Sequence, residues 1–259
     1  MRKQKGMTMI AILVFAFLFL PLVLIVVTSF GTAAAIQFPI KGFTLDWYLN
    51  ALRLDTMLES FKLSLVVGLL ATVLALLVGV PASYALARYT VKGKSFIKSF
   101  FLSPTVIPGI VVGYTLFQFI VVALGLPVFQ GLLIGHFLIS LPYIIRVVGS
   151  SMDQLDYSIE EVAWTLGCTR IRAFMQIVLP NVSSGIFAAF MLAFVNSFNN
   201  VPVSMFLSGP GVTMLPTSLL SYMEYNYDPT VSAISVMLML LTMGLMYLIE
   251  KTLGLASIA

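Results

Sequence analysis

Cysteine, histidine and charge are all scarce in this 259-residue chain. The single cysteine, Cys168, excludes an intrachain disulfide. A single histidine, His136, with one distant cysteine cannot build a His/Cys metal cluster. Charged residues make up 9%, against about 25% in soluble domains. A soluble fold this poor in charge, with 60% hydrophobic residues, would expose large apolar patches. No G-x-x-x-x-G-K-S/T run occurs, so the chain has no P-loop of the usual kind for nucleotide phosphates. Short-period repeats and low-complexity tracts are also missing.

What the chain does have is long apolar runs. Six reach roughly the ~20 residues that a bilayer core requires: residues 9–29, 64–87, 106–124, 132–150, 185–207 and 231–249. In lipid the backbone must satisfy itself within helices, so the expected fold is an all-α integral membrane bundle of six transmembrane helices. No segment is left over for a soluble domain, and residues 1–259 read as one transmembrane domain. Within it we expect a first helix at 9–29, a core unit over about 60–250 and a long loop over 151–184. The first run, counted from Met7, exceeds the ~7–15 apolar residues of a secretory leader. It is expected to stay as an uncleaved helix despite Ala33-Ala34-Ala35 beyond it.

The net charge of +4 sits between the runs, which marks it as a topology signal and leaves no nucleic-acid patch. Arg2, Lys3, Lys5, Arg88, Lys92, Lys94, Lys98, Arg146, Arg170, Arg172 and Lys251 fall on one side; Lys41, Arg53 and Lys62 fall on the other. By the positive-inside bias both termini are expected to be cytoplasmic. The external segment 31–61 carries Trp47 and Tyr48, and a short interfacial helix is expected at about 45–54. Gly125–Gly131 reads as an uncharged turn, and residues 208–230 as a Gly-, Pro- and Tyr-rich external link. Ser103-Pro104 and Pro108-Gly109 are expected to break or bend a helix entry, read as a simple helix start in preference to a gating hinge. The fourteen methionines read as pliable packing.

The longest cytoplasmic loop, residues 151–184, holds the strongest pattern. A short amphipathic helix is expected over 159–166, ended by Gly167 in a left-handed turn. Thr169 can cap a second helix over about 170–178, and Pro180 stops that helix or starts the next. The result is a helix–turn–helix under the membrane. Mixed charge from Glu160, Glu161, Arg170 and Arg172 makes it either a docking element or an ordinary solvated loop.

Glu161-Val162-Ala163, Gly167, Ile177, Leu179 and Pro180 resemble the "EAA" loop of bacterial ABC importer permeases: E-A-A, a glycine six residues after the glutamate, then I-x-L-P. Only Val162 departs, standing where alanine is usual. Weaker matches extend the likeness to the second permease subunit of spermidine/putrescine-type importers. They are Gly42-Phe43-Thr44 with Trp47-Tyr48, Ser103-Pro104 with Pro108-Gly109, Leu179-Pro180-Asn181, and Ser208-Gly209-Pro210 followed by Leu215-Pro216. The resemblance implies a type I ABC importer permease fold in the bacterial inner membrane. It also implies that this loop is a coupling helix inserted into a cytoplasmic ATPase. Glu161 would be the polar contact, Ala163 would allow close packing, and Gly167 would set the turn. The implied partners are a second permease subunit in a heterodimer, two ATPase subunits, and a periplasmic or lipid-anchored solute-binding protein, with membrane lipid around the bundle. This chain would bind no cofactor, and ATP and Mg would belong to the ATPase.

Candidate substrate-path residues come from polar groups within spans, which are costly unless they face a cavity or another helix. Asn196, Asn199 and Asn200 are spaced to share one face of a continuous fifth helix. Asn196 would lie about 15 Å along the axis from Ile186, near the bilayer midplane. Pro202 should loosen the helix beside them. Pure interhelical packing is the competing reading. Tyr114 and Gln118, four apart, form a second candidate face. His136 reads as an interfacial residue near the external end. Tyr222, Tyr225 and Tyr227 could meet a binding protein or simply belong to an interfacial belt. Polyamine permeases that resemble this chain tend to carry acidic residues where Asn199 and Asn200 stand. Carboxamides are neutral, so either the cargo is not strongly cationic or a sister subunit supplies the negative charge. Two rivals fare worse. An ion-coupled secondary transporter needs ionisable residues deep in its spans, and a membrane enzyme needs a nucleophile–base pair or metal ligands.

Overall fold

The computed structural model describes residues 2–252, with side-chain surroundings for residues 7–244 and Tyr247. Arg2, Lys3, Lys5 and Lys251, used above for orientation, therefore lie outside the described side chains.

Described in chain order, the elements are all helical: α1 Arg2–Thr28, α2 Asp46–Arg53, α3 Asp55–Arg88, α4 Lys94–Leu102, α5 Gly109–Leu116, α6 Val128–Asp153, α7 Ser158–Thr165, α8 Arg170–Ala173, α9 Leu179–Asn181, α10 Ser183–Phe198, α11 Val201–Leu207, α12 Leu215–Tyr225 and α13 Thr230–Thr252. Two π-turns extend helices, Phe117–Ala123 after α5 and Phe174–Val178 between α8 and α9. The predicted apolar runs fall mostly on helix, with interruptions at 106–108 and 199–200, and α2 falls where a short helix over 45–54 is expected.

Met7–Thr28, Asp55–Arg88 and Val128–Asp153 are each long and apolar enough to cross a bilayer. Two further candidates are broken. Lys94–Thr105 meets Gly109–Ala123 at 94°, and Arg170–Asn181 meets Ser183–Phe198 at 72°. The expected break at this helix entry is present and α5 does start at Gly109, but the start is not a simple one. A helix, α4, already precedes these prolines. The chain bends between α4 and α5 because Pro104 and Pro108 lack the amide hydrogens that would carry the helix through. The link after residue 207 is likewise not all loop, since α12 occupies Leu215–Tyr225.

The chain divides into two compact units, residues 1–59 with 218–259, and residues 60–217. In the first, the end of α1 is fastened to α13 by Thr28 Oγ1 and Ser232 Oγ at 3.2 Å. Asn50 of α2 donates to Thr230 Oγ1 at 3.0 Å. Trp47 Nε1 donates to the Gly31 carbonyl at 2.6 Å, and Tyr48 OH pairs with Ser29 Oγ at 2.7 Å. Tyr222 donates to Asp228 at 3.0 Å. Burial raises this phenol's pKa, and the neighbouring carboxylate adds to the shift.

In the second unit α6 is the central post. One core cluster gathers Ala75, Ile144, Val148, Met152, Val178 and Ala189. The other gathers Val67, Leu132, Ile139, Val203, Leu207 and Met214. Small residues let helices approach closely, the usual device where lipid removes any hydrophobic drive between helices. A Cβ on Gly113 would lie 2.7 Å from the Pro202 carbonyl oxygen, so α5 and α11 touch backbone to backbone there. These contacts hold α10, α11 and α5 around the break at Asn199-Asn200, while Val178 ties the loop's second helix to α6.

Candidate functional site

The loop between α6 and α10 is built from local caps. Asp156 Oδ1 accepts from the Ser158 amide at 3.0 Å at the start of α7, and these bonds hold its carboxyl below its ordinary pKa. α7 ends where Gly167 takes φ +85°, a conformation that side chains with a Cβ rarely adopt. The Gly167 amide donates to the Trp164 carbonyl and the Cys168 amide to the Ala163 carbonyl, each at 3.0 Å. This pair of bonds is the Schellman arrangement. Thr169 Oγ1 then accepts from the Arg172 amide at 3.4 Å and starts α8. The expected helix–turn–helix is present, except that its second helix widens into a π-turn and runs on to Asn181, past Pro180. Asn181 Nδ2 donates to the Ile177 carbonyl at 2.8 Å, and Leu179 packs on the α6 core cluster.

Long-range contacts then lock the loop to the end of α3. Glu160 is 1% exposed and accepts from Tyr84 OH at 2.5 Å and from Arg88 Nε at 3.2 Å. Arg88 Nη2 also donates to Glu161 Oε1 at 2.7 Å. The guanidinium carbon lies 5.2 Å from the ring centroids of both Tyr157 and Trp164, and that of Arg170 stands 5.4 Å from the Trp164 centroid. Cation–π attraction adds to the ion pairs here. Burial raises the Tyr157 phenol to about 12, with Glu160 and Asp153 adding to the shift, so it stays protonated at neutral pH. Of the motif residues, Ala163 is buried, Ile177 and Leu179 are half-buried, Pro180 is exposed, and Glu161 is exposed but paired. Val162 faces outward with Ile159 and Leu166, at 56%, 48% and 82% exposure. Their spacing of three and four puts them on one side of α7 as an unpartnered apolar stripe. Tyr84, Arg88 and Glu160 were missed as loop anchors. The only sequence signal was charge at two distant places, and pairing across about seventy residues cannot be read from local pattern.

A second feature lies at the junction of α10 and α11. The expectation that Asn196, Asn199 and Asn200 share one continuous helical face is corrected, because α10 ends at Phe198 and α11 begins at Val201. Pro202 has no amide hydrogen to continue the ladder, and Asn200 Oδ1 instead accepts from the Val203 amide at 2.9 Å, capping the new helix. Asn196 and Asn200 still line one recess, of about 190 Å³, with Thr105 and Tyr143. Asn199 does not line it and is exposed. Tyr114 of α5 and Gln118 of the π-turn after it do pair, Gln118 Nε2 donating to Tyr114 OH at 3.0 Å; both are exposed and neither lines the recess. His136 has both ring nitrogens satisfied inside the bundle. It is fully buried on α6, its Nδ1 2.9 Å from Ser197 Oγ and its Nε2 3.2 Å from Ser204 Oγ. It thus bridges the helix ends on both sides of the break. A lone histidine in an apolar run gave no sign of those two distant hydroxyls.

The comparisons agree with this architecture. Residues 79–253 match the family of binding-protein-dependent transport system inner membrane components. The putrescine transport system permease protein PotI of Escherichia coli (strain K12) is 30% identical over 83% of this chain and 79% of its own length. The spermidine/putrescine transport system permease protein PotC of the same organism is also 30% identical, over 85% of this chain and 83% of its own. The molybdate/tungstate transport system permease protein WtpB of Methanocaldococcus jannaschii is 28% identical over 78% of this chain and 84% of its own. The crystal structure of a bacterial ABC transporter involved in import of the acidic polysaccharide alginate has a chain that superimposes with a TM-score of 0.74 at 17% identity, covering 97% of this chain and 98% of that one. The MetNI methionine ABC transporter gives 0.59 at 19% identity, over 76% and 93%. A chain of apolar helices, a capped loop clamped to the end of a span, and a family match over residues 79–253 lead to one conclusion: this protein belongs to the family of binding-protein-dependent transport system inner membrane components.

Proposed function

We propose that this chain forms one half of the translocation pathway of an ATP-driven importer and receives the motor's stroke through the segment Ser158–Asn181. A single observation carries the reading. α7 is held to the body by Glu160 and Arg88, while the side bearing Ile159, Val162 and Leu166 is exposed and apolar. An apolar stripe on a rigidly anchored helix suits insertion into a cleft of another protein. The chain has no P-loop, so hydrolysis falls to a cytoplasmic ATPase pair and the chain does no covalent chemistry of its own. Pulling on α7 would move α3 directly, through the Arg88 clamp.

One bundle gives only one wall of a pore, which supports pairing with a sister permease, here taken as a different subunit. A solute-binding protein would deliver cargo from outside, and both termini would be cytoplasmic. The recess at Asn196 and Asn200 is the proposed cargo contact. No carboxylate lines it, which favours a small polar solute that is not strongly cationic, or a sister subunit that brings the negative charge. The named cargoes of the relatives, putrescine and spermidine among them, set the class to test first.

The test replaces Ile159, Val162 and Leu166 together by serine in the chain co-expressed with its partner subunits. Loss of the ATPase from the purified complex, with the permease itself still folded, is expected. Full retention of ATPase and of ATP-dependent uptake would overturn the docking assignment.

A further inference from the structure

We propose that α4 lies along the membrane surface and that, together with α6, it holds the phosphate of an anionic membrane lipid. The proposal needs the chain to span a bilayer but is independent of the ATPase reading.

α4 has no buried residue. Phe96 and Phe100, four apart, are 75% and 64% exposed and share one side of it. Lys94 and Lys98 share another. Helix Lys94–Thr105 turns through 94° into Gly109–Ala123. When α5 crosses the bilayer, α4 must therefore run close to the membrane plane. A short helix with a lysine side and a phenylalanine side is suited to that position, its rings in the acyl boundary and its ammonium groups among the headgroups.

Between α4 and α6 lies a cavity of about 320 Å³, lined by Lys98, Arg146, Ser150, Asp153 and Gln154 on its polar side and Leu102 on its apolar side. Arg146 has no carboxylate partner among the described residues. Lys98 Nζ meets Asp153 Oδ2 at 3.0 Å, a pair exposed enough to be weak. Two cations and one carboxylate leave the cavity with one net positive charge, the complement of a single phosphodiester. Gly149 forms part of the lining, and a Cβ built there would meet nothing within 4 Å. The cavity is thus open beside Arg146. Basic pockets between spans at the membrane surface are suited to lipid headgroups, and each basic residue near an anionic surface strengthens attachment.

The experiment uses the full chain, with whatever partner subunits co-purify, in mild detergent. Thermal stabilisation is titrated with dioleoylphosphatidylglycerol, dioleoylphosphatidylcholine and inorganic phosphate. The wild-type protein is expected to half-saturate with phosphatidylglycerol at a concentration at least about five-fold below that for phosphatidylcholine, the effect of one basic residue at an anionic surface. Arg146→Gln should abolish that preference. Gly149→Leu, which fills the cavity without changing charge, should abolish it as well. Equal response to both lipids in the wild type would overturn the proposal. So would a preference that survives both variants, or equal stabilisation by inorganic phosphate, which would mark a free-anion site. Burial of Arg146 by a sister permease, together with loss of lipid preference in the assembled complex, would assign the cavity to a protein contact and also overturn it.

Discussion

The loop over Ser158–Asn181 and the junction at Asn199-Asn200 both interrupt helices, yet they are held in opposite ways. The loop is fixed by charge: Glu160 is buried and bonded to Tyr84 and Arg88, and cations stand against Trp164 and Tyr157. The junction is fixed by neutral groups: Asn200 caps α11, and His136 bridges Ser197 and Ser204. Charge is affordable at the loop because it lies at a helix end where water can solvate the exposed member, Glu161. Within a span an unpaired charge is far costlier, so carboxamides and hydroxyls close the break. The difference shows where this chain can transmit force and where it can only present a surface to a solute.

The sharpest way to break the comparison is Arg88→Ala. It strands Glu160 as an uncompensated buried carboxylate, and breaking such pairs costs about 3–5 kcal/mol. Tyr84 still donates to Glu160, so the lower end is expected, read as a fall in the thermal midpoint of the detergent-solubilised chain. No change in that midpoint would mean that Arg88 does not anchor the loop. Gly167→Val comes next. Forcing a β-branched residue to φ +85° costs about 1–3 kcal/mol. Protease cutting within 165–172 should speed up and nucleotide-dependent uptake should fall, while cleavage at wild-type rate would exclude strain at the turn.

Asn200→Ala removes a helix cap worth about 1 kcal/mol. Asn196→Ala caps nothing and should leave the midpoint unchanged while lowering uptake of the cargo carried by the cognate binding protein. If Asn196→Ala transports normally, the recess is packing and not path. The smallest effects come last. Glu161→Gln loosens a half-exposed ion pair, worth about 0–1 kcal/mol. It should lower ATPase retention more than stability; equal losses in both would make Glu161 a structural residue only. Asn199→Ala, exposed and outside the recess, should stay within about 0.5 kcal/mol in stability and transport at the wild-type rate.

The loop was largely legible because its information is local. A glycine that needs positive φ, a threonine positioned to cap and a proline that ends an amide ladder all act within one turn of chain. The junction was half legible. Pro202 announced trouble for the helix, but the reading kept one continuous face through Asn196, Asn199 and Asn200. The two adjacent asparagines could as well cap a new helix as line an old one. Periodicity counts residues along an unbroken helix and has no means of noticing that the count restarts at Val201. α4 and α12 went unread because each is too short to stand out as an apolar run, and α12 lies in a link whose glycines and prolines suggested loop.

The amino-acid order alone decided that this chain must live in lipid as helices, because its charge is too sparse to solvate any other surface and a backbone in hydrocarbon must bond to itself. It also decided where the loop turns, since residues with a Cβ rarely take the angle that Gly167 adopts. Tertiary structure decided which charge meets which across seventy residues, that His136 bridges two serines across a break, and that two of three asparagines share a recess. Those outcomes depend on which helices come together, a through-space fact that no neighbour in sequence encodes.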